Sequence, residues 1–311
     1  MDINKKSHYT LYVIVVTYNA QRWIPYFGDP LKILPKDWKV IVIDNASVDA
    51  TCTIIEKKYP NFFLIRSSKN LGFGKANNIG LRLALEDNVD HVFLLNQDAT
   101  ITVAELQHLL EIQQKHSEFF IVSPVHLNGA ATDLDQAFAT YCLPDHCPQL
   151  YSDALQGKMR EIYSCNMGNA AAWLLSRECL VQIGGFNPLF GHYGEDDEFR
   201  CRVLYHGYKM GIAPMAFARH DRENRSPAHP LATFKERMLV GLLDLSNPHP
   251  FFFFVRDTIQ LFLKKMFQFR IAEGWKILSI FMQLLSHWSD IRRARMLIKN
   301  LRPNFLDTYR C

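Results

Sequence analysis

Two carboxylates and an amide close three apolar runs in this chain: Asn19 after LYVIVVTY, Asp44 after KVIVI and Asp98 after VFLLNQ. At such a position Asp44 could accept from a base N–H or a ribose hydroxyl, or cap the next turn. Asp98 offers hard oxygens for Mg2+ or Mn2+, with a diphosphate supplying more, or it caps the helix that follows. Glu195, Asp196, Asp197 and Glu198 stand in a row. They suit a helix N-terminus, where negative charge is favoured. Crowding also raises a carboxyl pKa, which fits a general base. On a helix, Glu195 and Glu198 share one face, and Asp196 could pair with Arg200 at i,i+4. His220, in FARHD, could complete a carboxylate–diphosphate metal site or be structural. In KNLGFGKANNIG, Gly72 and Gly74 precede a helical pattern. They allow close backbone approach and free N–H groups for a phosphate, or simply a tight turn. Their spacing misses the dinucleotide fingerprint and follows the third strand, which excludes a hydride-transfer reading.

These groups need a scaffold. Residues 11–17, 39–43, 62–66 and 92–95 are apolar runs of strand length, continuous enough to be buried on both faces of a mostly parallel sheet. Helical spacing over 49–59, 75–85 and 102–116 fills the gaps. Ser47 is placed to cap the first helix, and Thr102 with Glu105 forms a capping box for the third. This is an α/β class, with ligands expected beyond the carboxyl ends of the strands. Further on, 121–124 and 208–213 read as short strands and 168–175 as a strand or tight turn. Residues 126–160 read as loops with a hairpin. Helices are expected over 176–184, with Ser176 as cap, and over 195–207.

The 311 residues are 48% apolar and 21% charged, which fits a packed core and excludes disorder. The net charge of +4 is unevenly spread. Residues 251–311 hold eleven Lys or Arg against four Asp or Glu, so the remainder is acidic. Seven cysteines at irregular spacing argue against a disulfide framework and for a reducing, cytoplasmic setting. Cys142 and Cys147 lack a second pair for zinc. The sequence shows no signal peptide and no apolar run of membrane-spanning length.

Six segments then form a set: VVTYN (15–19), VIDNASVDAT (42–51), NLGFGKANNIG (70–80), LLNQDATI (94–101), GGFNPLF (184–190) and GEDDEFRCRVLYHG (194–207). Together they resemble the family 2 glycosyltransferases of the GT-A fold, in particular the bacterial branch with rhamnosyltransferases of polysaccharide assembly. The resemblance covers roughly residues 9–225 and implies roles. Thr17, Tyr18 and Asn19 look like the first wall of a nucleotide pocket. Asp44, followed by Asn45, matches the acid that reads the base. Asn70, Gly72, Phe73 and Gly74, with Asn77, look like the stretch that closes over the donor. Asp98 matches the last acid of the metal motif and His220 the late metal-ligating histidine. Asp196 matches the catalytic base, with Asp197 its rival, since adjacent acids leave the register ambiguous. Asn96 stands where many relatives carry an acid; an amide can hold a ribose hydroxyl or a metal-bound water but brings no charge. Asn187 replaces a common aspartate.

The implied protein is an inverting glycosyltransferase that uses Mg2+ or Mn2+. Its donor is a dTDP- or UDP-linked sugar, rhamnose among the candidates. Its acceptor is a saccharide or lipid-linked saccharide in surface polysaccharide synthesis. The competing classes are a degenerate nucleotide-sugar-binding scaffold and a sugar nucleotidyltransferase, which would need a Gly-rich basic loop after the first strand. The catalytic unit is expected to span 1–225, with SPAHPLA as linker. The 226–311 extension is expected to be helical over 231–245, 251–270 and 272–300. Phe254, Ile259, Phe262 and Met266 fall along one side of its second helix, with Lys264, Lys265 and Arg270 mostly elsewhere. That suits peripheral contact with the anionic inner face of the cell membrane, against ordinary core packing. Basic residues interleaved with phenylalanines match no nucleic-acid recognition motif.

Overall fold

The computed structural model describes residues 9–222 and 233–306. From Leu11–Thr17 (β1) the chain runs through Ile24–Gly28 (α1), Trp38–Asp44 (β2), Thr51–Lys58 (α2), Phe63–Arg66 (β3) and Phe73–Glu86 (α3). His91–Asn96 (β4), Ala99–Thr100 (β5), Val103–Lys115 (α4), Phe119–Leu127 (β6), Gln136–Tyr141 (α5) and Leu150–Leu155 (α6) follow. Next come Tyr163–Cys165 (β7), Ala172–Ser176 (β8), Arg177–Gln182 (α7), Glu195–Tyr205 (α8) and Lys209–His220 (β9). The extension holds Phe234–Leu243 (α9), Pro250–Phe267 (α10), Ile271–Ser286 (α11) and Trp288–Leu297 (α12).

The nine described strands form one sheet in the order β3-β2-β1-β4-β8-β6-β9-β5, with β7 beside β9. The first half, β3-β2-β1-β4, is parallel as expected. The second half is mixed: β8 runs antiparallel between β4 and β6, and β9 is parallel to β6. Period-two alternation divides the core. Leu11, Val13 and Val15 pack with Phe27, Ile55 and Leu106 on one face. Tyr12 and Ile14 pack with Leu81, Leu180 and Phe199 on the other.

Two caps differ from the sequence reading. Ser47 does not cap α2; the Asp49 carboxylate accepts from the Thr51 amide, and the Ser47 hydroxyl turns to Asp44. Thr102 caps α4 as expected, but Glu105 accepts from the Phe217 amide. The neighbouring strand presents that donor, and it displaces the reciprocal half of the box. Ser176 caps α7. Residues 126–160 contain two short helices beside a single antiparallel bridge, Leu127 to Leu134.

The largest difference is β9, which runs on to His220. Pro214 marks an end in sequence because it cannot donate to a ladder. Here it falls at a register irregularity between the pairs Pro124–Ala213 and Val125–Phe217, and pairing resumes beyond it.

The extension packs through Leu239, Leu242, Phe254, Leu284 and Ile291 against Phe190 and Phe305. Phe254 is therefore a core residue, stacked on Phe281 at 4.8 Å, and does not join the exposed side of α10. The helix expected over 272–300 breaks at His287, so that Trp288 meets Phe251 at 5.0 Å. Residues 302–304 return to the catalytic unit, where the Gly185 amide donates to the Asn304 carbonyl and the Arg302 amide to that of Gln182. The boundary expected at 225 and the SPAHPLA linker lie outside the described residues.

Arg202 fastens this return. It pairs with Glu198 at 2.9 Å with both side chains buried, donates to the carbonyls of Ile183 and Gly185, and lies over the rings of Phe199 and Phe305. Arg202→Leu strands the Glu198 charge and is expected to cost about 3–5 kcal/mol, read as a lower urea midpoint.

Candidate active site

The parallel register sets the first half of the site. Thr17 lies opposite Asp44, and Val16 opposite Asn96. Beyond these pairs the ladder ends, and side chains satisfy the backbone that leaves it. The Tyr18 amide donates to Gln97 Oε1 at 2.7 Å. Asn19 adopts a left-handed φ of 49°, and its Oδ1 accepts from the Val48 amide. Its own amide donates to Ser47. The Tyr18 ring is exposed at this rim.

Asp44 is buried and fully engaged. It accepts from the hydroxyls of Thr17 and Ser47 and from the Ser47 amide. The Cys52 thiol also bonds to it; burial first, then this bond, pushes the thiol pKa up to about 11. A carboxylate offers about four acceptor positions, so here Asp44 organises the turn.

Asn45 holds the next loop. Its amide donates to Asn70 Oδ1 and the Gly72 carbonyl, and its carbonyl oxygen accepts from the Leu71 amide. Gly72 has a φ of +80°, and a Cβ there would lie 2.2 Å from the Gly191 carbonyl oxygen. Gly74 abuts Phe186 and Glu195. These glycines thus serve packing between the 70–74 and 186–195 segments. Phe73 stacks edge-on to Phe186. Asn77 turns back to the Phe73 carbonyl within α3. Its neighbour Asn78, not singled out from sequence, clamps both backbone groups of Phe186.

The second half is assembled by β9. Pairing of Ala99 with His220 brings His220 Nε2 to 3.4 Å from Asp98 Oδ1 and 3.5 Å from the Asn96 amide. His220 Nδ1 lies 3.6 Å from Asp135 Oδ2, and Arg222 stands 4.0 Å from the same oxygen. Asp135 and His126 were missed from sequence. His126 stacks on Phe138 and meets His220 edge-on; burial, then His220, pushes its pKa down to about 3, so it stays neutral. With Thr102 capping α4, Asp98 is not needed as a cap.

The acid row starts α8 after Gly194. Asp197 pairs with Arg200 at 3.2 Å, in place of the expected Asp196–Arg200 pair, because i,i+3 brings those two together. Glu198 pairs with Arg202. Asp196 accepts only from backbone, the amides of Ala170 and Asp197. Burial and the neighbouring Asp197 charge raise its pKa to about 6. The Asn96 backbone amide donates to the Ala171 carbonyl, next to Ala170, so Asp196 and the Asp98–His220 pair are both tied to the paired ends of β4 and β8. The half-buried Tyr141 ring, with Asn169 against its hydroxyl, feels the charges of Asp196, Asp197 and Arg222. Asn187 is a buried turn residue whose Oδ1 accepts from the Leu189 amide.

A family model described as glycosyl transferase family 2 matches residues 12–172. The chain belongs to this family. The N-acetylglucosaminyl-diphospho-decaprenol L-rhamnosyltransferase of Mycobacterium tuberculosis is 24% identical over 75% of this chain and 83% of its own length. Among solved structures, the mannosyltransferase PcManGT of Pyrobaculum calidifontis, with GDP-Man and Mn2+, superposes with a TM-score of 0.57 at 18% identity. That likeness covers 94% of this chain and 85% of that one. S. aureus TarS matches with a TM-score of 0.56 at 16% identity over 88% of this chain, which spans 43% of the TarS length. The fold of this family 2 chain is therefore of the GT-A type, mixed α/β with a helical C-terminal region. The likeness extends past residue 172 to the acid helix and β9.

Glu195, next to Asp196, is 3% exposed, and burial with the Asp196 charge raises its pKa to about 7. Folding thus favours its protonated form. The associated stability is full below the ordinary value of 4.5 and is lost as pH rises through about 7. Glu195→Gln should raise stability by about 1–3 kcal/mol at pH 8. The gain should vanish at pH 4, as followed by urea unfolding at both pH values.

Proposed function

We propose that this family 2 chain is an inverting glycosyltransferase that moves a sugar from a nucleoside-diphosphate donor to a hydroxyl of a saccharide or lipid-linked saccharide. The observation that carries the reading is Asp196. In a row of four acids it alone has neither a basic partner nor full burial, and it is tied to the same strand ends of β4 and β8 as Asp98 and His220. Rhamnose is the donor sugar favoured by the mycobacterial relative, whose name also specifies a lipid-linked acceptor.

Asp98 and His220 fit a divalent ion as a two-ligand set. One carboxylate oxygen and one imidazole nitrogen lie 3.4 Å apart, and the Asp135 carboxylate stands 3.6 Å from the far nitrogen of the ring. No group of three such ligands occurs among the described residues, so diphosphate oxygens and water would complete the shell. When bound, Mg2+ or Mn2+ offsets negative charge on the leaving diphosphate. The base of the donor binds at the strand ends, between Thr17–Asn19 and the Asn45-held loop. Asp44 accepts from it in place of its weakest donor, the Cys52 thiol. Asp196 takes the proton of the acceptor hydroxyl as that oxygen bonds to the anomeric carbon. The bond from that carbon to the diphosphate breaks, and the configuration inverts. Asp197, tied to Arg200, is left as a neighbour that tunes Asp196.

Asp196→Asn should lower kcat by about 10²–10⁴ with donor Kd within about threefold, whereas Asp197→Asn should keep most of the rate. For the unsubstituted protein, kcat/KM should fall as pH drops through about 6, where Asp196 becomes protonated. Near-normal turnover by Asp196→Asn would remove the assignment. Asp98 is tested by calorimetry. UDP or dTDP should bind at least about tenfold more tightly with Mn2+, and Asp98→Ala should erase that increment while leaving metal-free binding intact.

A further inference from the structure

The extension hides one set of apolar side chains and exposes another. On α10, Phe254 and Thr258 face inward. Phe252, Ile259, Leu263 and Phe267 recur at i, i+7, i+11 and i+15, and all four are exposed. On α11, Gly274, Ile277 and Leu284 are buried. Ile271, Trp275, Leu278 and Met282 recur at i, i+4, i+7 and i+11 and are likewise exposed. Exposure peaks where the two helices join, with Phe267 at 82% and Phe269 at 90%. An apolar surface of this extent on a packed protein marks an interaction site.

We propose that the α10–α11 hairpin docks on an anionic lipid surface, tip first. Charge and shape single out this occupant. Residues 250–286 hold five basic residues against two acidic ones. Both acids are paired, Asp257 with Arg256 and Glu273 with Lys265 and Arg270. Among the described residues, Lys264 and Lys276 have no ion-pair partner, and both are exposed. Their long stems let apolar neighbours sink while the ammonium groups stay at headgroup level. The most exposed rings lie at the turn between the two helices, where a planar interface admits them without a matching pocket. None of the described helices is long and apolar enough to cross a membrane. Since α9 packs on both α8 and the hairpin, docking would hold the acid helix at a fixed distance from the lipid. This goes beyond the reaction proposed above and does not depend on its donor or acceptor.

The test is flotation with phosphatidylcholine vesicles, with and without phosphatidylglycerol, using the full chain. The unsubstituted protein should float with the anionic vesicles and much less with the neutral ones. The double variant Phe267→Glu/Phe269→Glu should lose binding by about tenfold or more. Lys264→Glu/Lys276→Glu should lose a similar factor, and added salt should mimic it. Both pairs are solvent-exposed, and unchanged circular dichroism and nucleotide affinity would show that the fold is intact. Equal recovery with and without phosphatidylglycerol would overturn the proposal. So would light scattering that shows a dimer dissociated by Phe267→Glu/Phe269→Glu with no vesicle binding, which would assign the surface to a second copy.

Discussion

The structure depends on the register in which the parallel strands end. Thr17 sits beside Asp44, and Val16 beside Asn96, because β1 pairs with both β2 and β4. Past that line each strand leaves the ladder with unsatisfied amides and carbonyls, which a folded protein must pair. Here the pairing is done by side chains of the adjacent loops: Gln97 for Tyr18, Asn19 for Val48 and Asn45 for Leu71. Each bond ties one loop to the next, so the rim at the strand ends is a connected network. A slip of one residue between β1 and β2 would turn Asp44 to the opposite face.

The other half of the site is held by chain that returns from far away. β9 crosses the sheet past an irregularity at Pro214 to reach Asp98, and β8 leads Ala170 to Asp196. Electrostatics then separates four neighbouring acids. Arg200 and Arg202 each take one, burial presses Glu195 toward its neutral form, and Asp196 keeps only backbone donors. Two arginines on the same helix thus distinguish groups that are chemically alike. The histidines divide in a similar way: His126 is held neutral inside, whereas His220 lies between Asp98 and Asp135.

The extension is continuous with this arrangement. Phe305 lies over Arg202, which anchors Glu198 in the acid helix, and α9 packs on α8. Its inner side supplies core, and its outer side leaves two apolar stripes in solvent. A helix that is apolar on both sides needs two partners, and among the described residues only the inner side finds one.

What the sequence determined alone was local or periodic. Continuous apolar runs located β1, β2 and β4, and the polar residues after them named the ends of those strands. Thr102 and Ser176 announced their helices because a cap acts within three residues. The six motif segments pointed to the family that the chain belongs to. Tertiary structure decided every choice between equal local readings. Asp44 and Ser47 each had a capping role open to them, and only the neighbouring Thr17 and Asn19 settled which bonds formed. Asp135 and His126 gave no signal of the site, since the Asp135 carboxylate, which caps α5 through the Phe138 amide, faces His220 only when a distant strand lays that ring beside it. Phe254 and Phe252 are equivalent in sequence. Packing of α11 buried one and left the other exposed, because helical period fixes which residues share a side but not which side finds a partner.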